Sequence, residues 1–325
     1  MDEATNHSPS SASSAWFGLG LQPYPPKALP SCLVLGNFDG VHLGHQAILA
    51  QARATARQRG VALTAVTFEP HPRAVVHPGQ GPCLLAPLEL RRRLLAGYGV
   101  DWIWVIPFDK RIQQLTPDAF MDRLRDRVTI QEMVVGPVFS IGKRGEGGLD
   151  FLQGYAAAAG FQVRVAEPVA RGGASISSSA IRSRLEEGAL DVVREMLGRP
   201  FQVLGEVVHG DGLGRRLGFP TANLRLSPVQ ALPADGVYVM ELTAEDGIRR
   251  GAVGSIGTRP HFQGTERRFE VHCLDEAIDL YGQTVLVNIL QLLRGQQSFS
   301  TDGELVDRMT RDAEAAAAYF ASGAG

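Results

Sequence analysis

The chain has 325 residues, room for two domains at about 150 residues each. Hydrophobic residues make up 44% and charged residues 20%, and 32 basic against 34 acidic side chains leave a formal charge of −2. That profile suits a globular protein and lacks the basic footprint of a duplex nucleic-acid binder. No apolar run reaches the roughly 18 residues of a membrane span. Residues 1–15 carry Asp2 and Glu3 among polar residues, read as a disordered tail and do not form a signal peptide. Three scattered cysteines, Cys32, Cys83 and Cys273, fit neither a disulfide framework nor a zinc site, so the expected compartment is the cytoplasm and the expected partners are small molecules.

From residue 16 to 186 short apolar runs alternate with helical patterns. Strands are predicted at Leu33–Leu35, Val61–Phe68, Trp102–Phe108, Met133–Val135 and Phe161–Ala166. These runs are continuous rather than alternating, as parallel strands buried on both faces should be. Thr116, Pro117 and Asp118 open a helix whose apolar face is Phe120, Leu124 and Val128. The pattern predicts a doubly wound α/β domain, with ligands at the carboxyl ends of its strands. Near residue 186 the text changes: Ile181 and Leu185 close one helix at Gly188, and Leu190, Val193 and Leu197 make a linker helix within 187–200. From 201 to 325 a second domain reads as β, at Phe201–Val208, Val237–Leu242, Gly251–Ile256, Arg268–Leu274 and Thr284–Leu293. Period-two alternation and glycine-rich turns predict a closed antiparallel barrel. A capping box, Thr301 and Glu304, starts a final helix with Leu305, Met309, Ala313, Ala316 and Phe320 on one face.

Two segments carry chemistry. In LGNFDGVHLGHQAIL, residues 35–49, a buried strand runs through a glycine-bearing turn into a helix. His42 and His45 fall on one face of its first turn, with Gly44 between them leaving room at the backbone. Free amides, the helix dipole and two imidazoles make a polyphosphate site. In GEVVHGDGLGRRLGFPTANL, residues 205–224, Gly210, Gly212, Gly214 and Gly218 with Arg215 suggest a mobile loop that wraps phosphate.

The first segment resembles the nucleotidylyltransferase superfamily, whose His-x-Gly-His signature stabilises the pentacoordinate phosphorus formed by attack on an ATP α-phosphate. The flanking Gly36, Asn37, Phe38, Asp39, Gly40 and Val41 narrow the resemblance to the FAD synthetase module of bacterial riboflavin-processing proteins. FEPHP at 68–72 and ISSSAIRSRL at 176–185 match in order. The resemblance implies that Gly36 to Asp39, Gly44, Ser177, Ser178 and Ser179 bind ATP and that Arg182 acts beside His42 and His45; alone, the serines would be a good helix cap. At 134–148 the sequence departs from the family pattern at Val138 and Ile141, where a polar residue and an aromatic are usual. That stretch also imitates a Walker loop and fails as one: five residues separate Gly136 from Gly142, and Arg144 stands at the Ser/Thr position.

The second segment, with DGVYVMEL, RRFEVHCLD, DLYG and LLRGQQSF after it, resembles riboflavin kinase, a six-stranded barrel. The resemblance implies Mg²⁺ held by Thr221 and Asn223, and Glu270 as the base that takes the proton of riboflavin's 5′-hydroxyl. On position alone Glu270 is equally a strand residue paired with Arg267 or Arg268. Ser255 and His261 also depart from the pattern and are expected to touch loops more than the metal site, leaving activity intact. Together the resemblances imply a bifunctional enzyme that makes FMN from riboflavin and ATP, then FAD and pyrophosphate from FMN and ATP. The alternatives are a riboflavin kinase whose first half only binds nucleotide or flavin, a class I aminoacyl-tRNA synthetase, which shares His-x-Gly-His, and a non-enzymatic flavin sensor.

Overall fold

The computed structural model describes residues 29–171, 174–257, 267–274 and 278–323. The expected tail at 1–15 and His261 lie outside them. The five continuous apolar runs of the first half become β1 (Pro30–Leu35), β2 (Ala62–Glu69), β3 (Trp102–Pro107), β4 (Thr129–Val135) and β5 (Gln162–Val165), all parallel, in the order β3-β2-β1-β4-β5. β1 pairs with β2 on one side and β4 on the other, so the strand order reverses there and opens a crevice at the carboxyl ends. Alternate residues of β1 feed opposite faces. Cys32 and Val34 pack with α1 (Leu43–Arg59) and, past the short α2 (Pro72–Val76), with α3 (Leu88–Gly97). Leu33 meets the other face, where, after the single turn α4 (Lys110–Gln113), α5 (Pro117–Arg125) and α6 (Leu149–Ala159) lie.

Two boundaries differ from the sequence pattern. β4 begins at Thr129 rather than Met133, because Glu132, which breaks the apolar run, is buried between Arg59 (2.8 Å) and Arg164 (2.9 Å). α5 stops at Arg125, so Val128 reaches the core from the turn beyond it. The α5 cap is as expected: Thr116 Oγ1 accepts from the Ala119 amide at 3.2 Å.

After a short ribbon, β6 (Ala170–Arg171) and β7 (Ala174–Ser175), come α7 (Ser178–Glu186) and the linker helix α8 (Leu190–Leu197). Gly198, at φ 67°, ends α8. Neither helix is a free tether: Ile181, Leu185, Leu190, Val193 and Leu197 share one core with Phe201, Val203, Tyr238 and Val285 of the barrel. The barrel strands are β8 (Phe201–Val208), β9 (Ala222–Leu226), β10 (Gly236–Thr243), β11 (Arg249–Gly257), β12 (Arg268–Cys273) and β13 (Thr284–Gly295), closed in the order β10-β11-β12-β9-β8-β13. β9 is absent from the five strands read off the pattern, since it begins inside the Pro-Thr-Ala-Asn motif and soon after a glycine-rich run. That run folds as one helical turn, α9 (Leu213–Arg216). The final helix, α10 (Asp302–Ala321), keeps the expected cap: the Glu304 amide donates to Thr301 Oγ1 at 3.2 Å, and the Glu304 carboxylate accepts from the Ser300 amide at 2.9 Å. Its Ala316 and Phe320 pack on Val237, Val239 and Val253 of β10 and β11. Among the described residues no helix is long and apolar enough to cross a membrane.

Candidate active sites

The first site is a turn held under strain. Leaving β1, the chain passes through positive φ at Phe38 (49°), Gly40 (78°) and Val41 (40°). For non-glycine residues, and above all a β-branched one, such angles cost about 1–3 kcal/mol each and persist only where surroundings over-determine them. The turn sets His42 as the cap of α1. His42 Nδ1 accepts the His45 amide at 3.4 Å, and the two rings stack at 3.7 Å with 17° between planes. The Phe38 edge abuts His45 at 5.3 Å. A Cβ on Gly44 would come within 3.2 Å of the His42 ring, so glycine there leaves the imidazole its place.

Burial first, and the nearby Arg199 charge second, push the His42 imidazole down to about 4. Burial, His42 and Arg199 hold His45 well below its ordinary range. Both rings are therefore neutral at pH 7. Because His42 Nδ1 is the acceptor, its proton sits on Nε2, which is left as a donor. His45 Nδ1 is buried with no hydrogen-bond partner among the described residues.

α7 closes on this turn. Ser177 caps it, accepting from the Ala180 amide at 3.2 Å, which is the simple role open to any serine there. Its neighbours do more. Ser178 Oγ donates to the Asp39 carbonyl at 2.9 Å, and Arg182 binds Asp39 Oδ2 at 2.7 Å and Ser179 Oγ at 3.3 Å. The two motifs, 143 residues apart, thus share one buried ion pair. Asp39 Oδ1 also accepts from the Ala86 amide at 3.0 Å. Burial raises the Asp39 carboxyl, opposed by that amide and by Arg182. Phe38 and Asp39, each 1% exposed, stand behind the crevice and anchor His45 and Arg182, so neither lies open to a nucleotide as the resemblance implied. Gly36 remains tied to the sheet by its amide on the Val66 carbonyl at 3.1 Å.

Two cations behind the turn, Arg91 and Arg199, carried no sequence signal of their own, while His71 falls within the FEPHP match. Arg91, fully buried, donates to the Asn37 carbonyl (2.9 Å), the Phe68 carbonyl (3.2 Å) and Glu69 (2.6 Å), joining the ends of β1 and β2. Arg199 binds the Gly40 carbonyl at 2.6 Å and the Val41 carbonyl at 3.1 Å. His71 caps α2, and burial with the charges of Arg182, Arg91 and Arg73 pushes it to about 4. Beyond β4, Val138 is 98% exposed while Ile141 is buried, so only the first departure from the family pattern faces solvent. The Walker-like stretch folds as a tight loop with Ile141 bridged to Gly147, and the next α-helix starts only at Leu149.

The second site is a row across strands. Ser255 of β11, Glu270 of β12 and Asn223 of β9 are direct register partners, so their Cβ atoms sit about 5 Å apart on one face. Ser255 lies in a strand, as its apolar run predicted, but it touches the site rather than loops, as the cross-strand neighbour of Glu270. A cavity of about 500 Å³ is lined by Gly214, Thr221, Ser255, Arg268 and Glu270 and closed by Leu305 and Met309 of α10. The final helix thus forms a wall of the site, a role its amphipathic pattern did not announce. Gly214 and Gly210 are needed for space: a Cβ on the first would collide with the Phe219 carbonyl, and on the second with the Asn223 amide. Asn223 lies under Gly210, and neither it nor Arg215, Gly210 or Gly212 lines the cavity. The His272 ring meets the Pro220 carbonyl at 2.8 Å, fastening the motif to β12. Arg267 pairs with Asp235 and Arg268 with Asp211, each at 2.6 Å.

The Thr221 and Asn223 side chains offer oxygen, and among the described residues no cluster of three His, Cys, Asp or Glu could hold a metal. Such a sparse, all-oxygen donor set fits Mg²⁺, which fills its shell with phosphate oxygens and water.

Comparison with known proteins is concordant across both halves. A family model described as FAD synthetase matches residues 25–180, and one described as riboflavin kinase matches 197–320. The chain is 37% identical over 289 residues to the bifunctional riboflavin kinase/FMN adenylyltransferase of Escherichia coli (strain K12), spanning 89% of this chain and 92% of that one. It is 38% identical over 307 residues to the protein of the same description from Pseudomonas fluorescens, spanning 94% and 98%. A crystal structure described as a macrolide-efflux protein from Streptococcus pneumoniae superposes with a TM-score of 0.78 at 31% identity, covering 88% of this chain and 93% of that one.

Proposed function

The chain belongs to the bifunctional riboflavin kinase/FMN adenylyltransferase family, and from that premise we propose how its two reactions divide between the two sites. The enzyme phosphorylates riboflavin to FMN and adenylylates FMN to FAD. The first reaction belongs to the barrel cavity and the second to the strained turn.

At the turn, an FMN phosphate oxygen attacks the α-phosphorus of ATP and pyrophosphate leaves. His42 donates from neutral Nε2 to the phosphoryl oxygens, and the free amides of the first turn of α1 support the same charge. Arg182 with Ser179 faces the departing phosphates, held in place by buried Asp39. No covalent intermediate is needed; the work is positioning and stabilisation of charge that grows at phosphorus.

In the barrel, Glu270 accepts the proton of riboflavin's 5′-hydroxyl as it attacks the γ-phosphorus. Thr221 and Asn223 would hold Mg²⁺, which when bound neutralises charge on the ATP phosphates. The α9 turn covers the phosphates, with Gly214 keeping the backbone close and Arg215 free to reach them from outside the cavity.

The observation that carries the division is that each half builds a complete constellation from its own motifs: the stacked His42/His45 pair locked to Arg182 through Asp39, and the Ser255–Glu270–Asn223 row. A first half that only binds nucleotide or flavin is the less favoured reading, since the one departure facing outward, Val138, lies outside that constellation. The test is a chromatographic time course with riboflavin, ATP and Mg²⁺. FMN should rise and fall ahead of FAD; FMN accumulating with no FAD would refute the assignment of the turn.

A further inference from the structure

Arg199 lies two residues before the first barrel strand and inside the segment that matches riboflavin kinase. Its guanidinium nevertheless reaches back 159 residues to the turn of the other site. It donates to the Gly40 carbonyl at 2.6 Å, the Val41 carbonyl at 3.1 Å and the Leu197 carbonyl at 3.2 Å, while Nε binds Gln202 at 3.1 Å. Gln46 of α1 repeats the tie, giving its amide to the Val41 carbonyl at 2.9 Å and the Leu197 carbonyl at 2.7 Å. The two turn carbonyls that Arg199 grips stand on either side of Val41, a β-branched residue at positive φ. They are the last peptide groups before His42.

Resting on the assignment of adenylyl transfer to this turn, we infer that Arg199 is a positioning residue for that reaction, supplied by the other half of the chain. A flat, rigid fork that takes three carbonyls at once fixes their directions, which a flexible point charge cannot do. It thereby holds Val41 in a conformation that valine rarely adopts and sets the direction in which the His42 imidazole leaves the backbone. Its second effect is electrostatic. A permanent cation, half-buried behind the stacked imidazoles, disfavours a proton on either and so adds to the burial that chiefly keeps His42 and His45 neutral. The charged and titratable groups around that pair are each ring for the other, Arg199 behind both, and Asp39 paired with Arg182 under the turn; Tyr98 at the end of α3 meets the far side of Arg199.

The test uses the full chain with Arg199→Ala and Arg199→Lys. FAD formation from FMN and ATP and FMN formation from riboflavin and ATP are measured on the same preparations. For Arg199→Ala the kcat of FAD formation should fall about 100-fold, the scale for a small misplacement of catalytic groups. The KM for ATP should stay within about threefold and FMN formation within about twofold. The acid limb of FAD formation should move to higher pH, because the cation that added to burial in keeping the imidazoles neutral is gone. Arg199→Lys keeps the charge and fills the space, so its acid limb should stay where it is in the unmodified chain while kcat remains about tenfold low. A lysine variant indistinguishable from the unmodified chain overturns the inference, as does an alanine variant that loses both reactions equally or keeps its acid limb unmoved. An unmodified chain that makes FMN but no FAD sinks instead the assignment of the turn itself.

Discussion

The two proposed phosphate sites have opposite architectures. The turn after β1 departs from regular structure: two non-glycine residues at positive φ, a histidine serving as helix cap, and buried charges from α3, α7 and the segment after α8 holding it in place. The barrel site is regular structure, its Ser255–Glu270–Asn223 row falling out of strand register. A site made by register needs only its own strands. A site made by strain needs distant residues to enforce it, and here they come from both halves of the chain. Changes far from the chemistry should therefore damage FAD formation more readily than FMN formation.

The sharpest way to break that contrast is at Glu270. Glu270→Ala should lower FMN formation by about 10²–10⁴-fold, the usual worth of a general base, and leave FAD formation from supplied FMN intact. His42→Ala or His45→Ala should lower FAD formation by about 10²–10³-fold, as loss of one preorganised donor does, while FMN formation persists. Either variant losing both reactions while still folded would end the two-site scheme. Next comes the buried tie. Asp39→Ala strands Arg182 without its partner and removes the acceptor of the Ala86 amide, so thermal or urea unfolding should report about 3–5 kcal/mol of lost stability. No residue of the barrel row should approach that figure.

A smaller effect is pH-dependent. His42 and His71 in the folded protein titrate near 4, below the ordinary 6.5 of the unfolded chain. Between those values the unfolded chain binds more protons, so unfolding free energy rises with pH. The stability is whole above about 6.5 and is lost as pH falls toward 4. Melting curves across that range should show the loss, and His71→Gln should make it shallower. Least of all, Ser255→Ala should change FMN formation by no more than about threefold. A larger drop would mean that the row works as a unit and that the residue beside Glu270 also touches substrate.

Much of this was legible in the chain. The five parallel strands, the α5 cap at Thr116, the switch from α/β to barrel and both phosphate motifs follow from periodicity, capping residues and glycine placement, which are local properties. What escaped was masked or distant. β4 was read short because Glu132 interrupts an apolar run, and only the fold supplies Arg59 and Arg164 to neutralise it. β9 was missed because it begins within a motif that reads as chemistry.

The sequence by itself pointed to the residues proposed to bear the chemistry, since a histidine pair around a glycine and a Pro-Thr-Ala-Asn run are contiguous and carry the family resemblance without any distant partner. The tertiary structure alone decided who holds them. Asp39 meets Arg182 across 143 residues, Gly40 meets Arg199 across 159, and Ser255 joins Glu270 through a strand pairing. Hydrogen bonds and buried charges act over about 3 Å of space regardless of separation along the chain. One sequence without its fold does not say which distant arginine arrives.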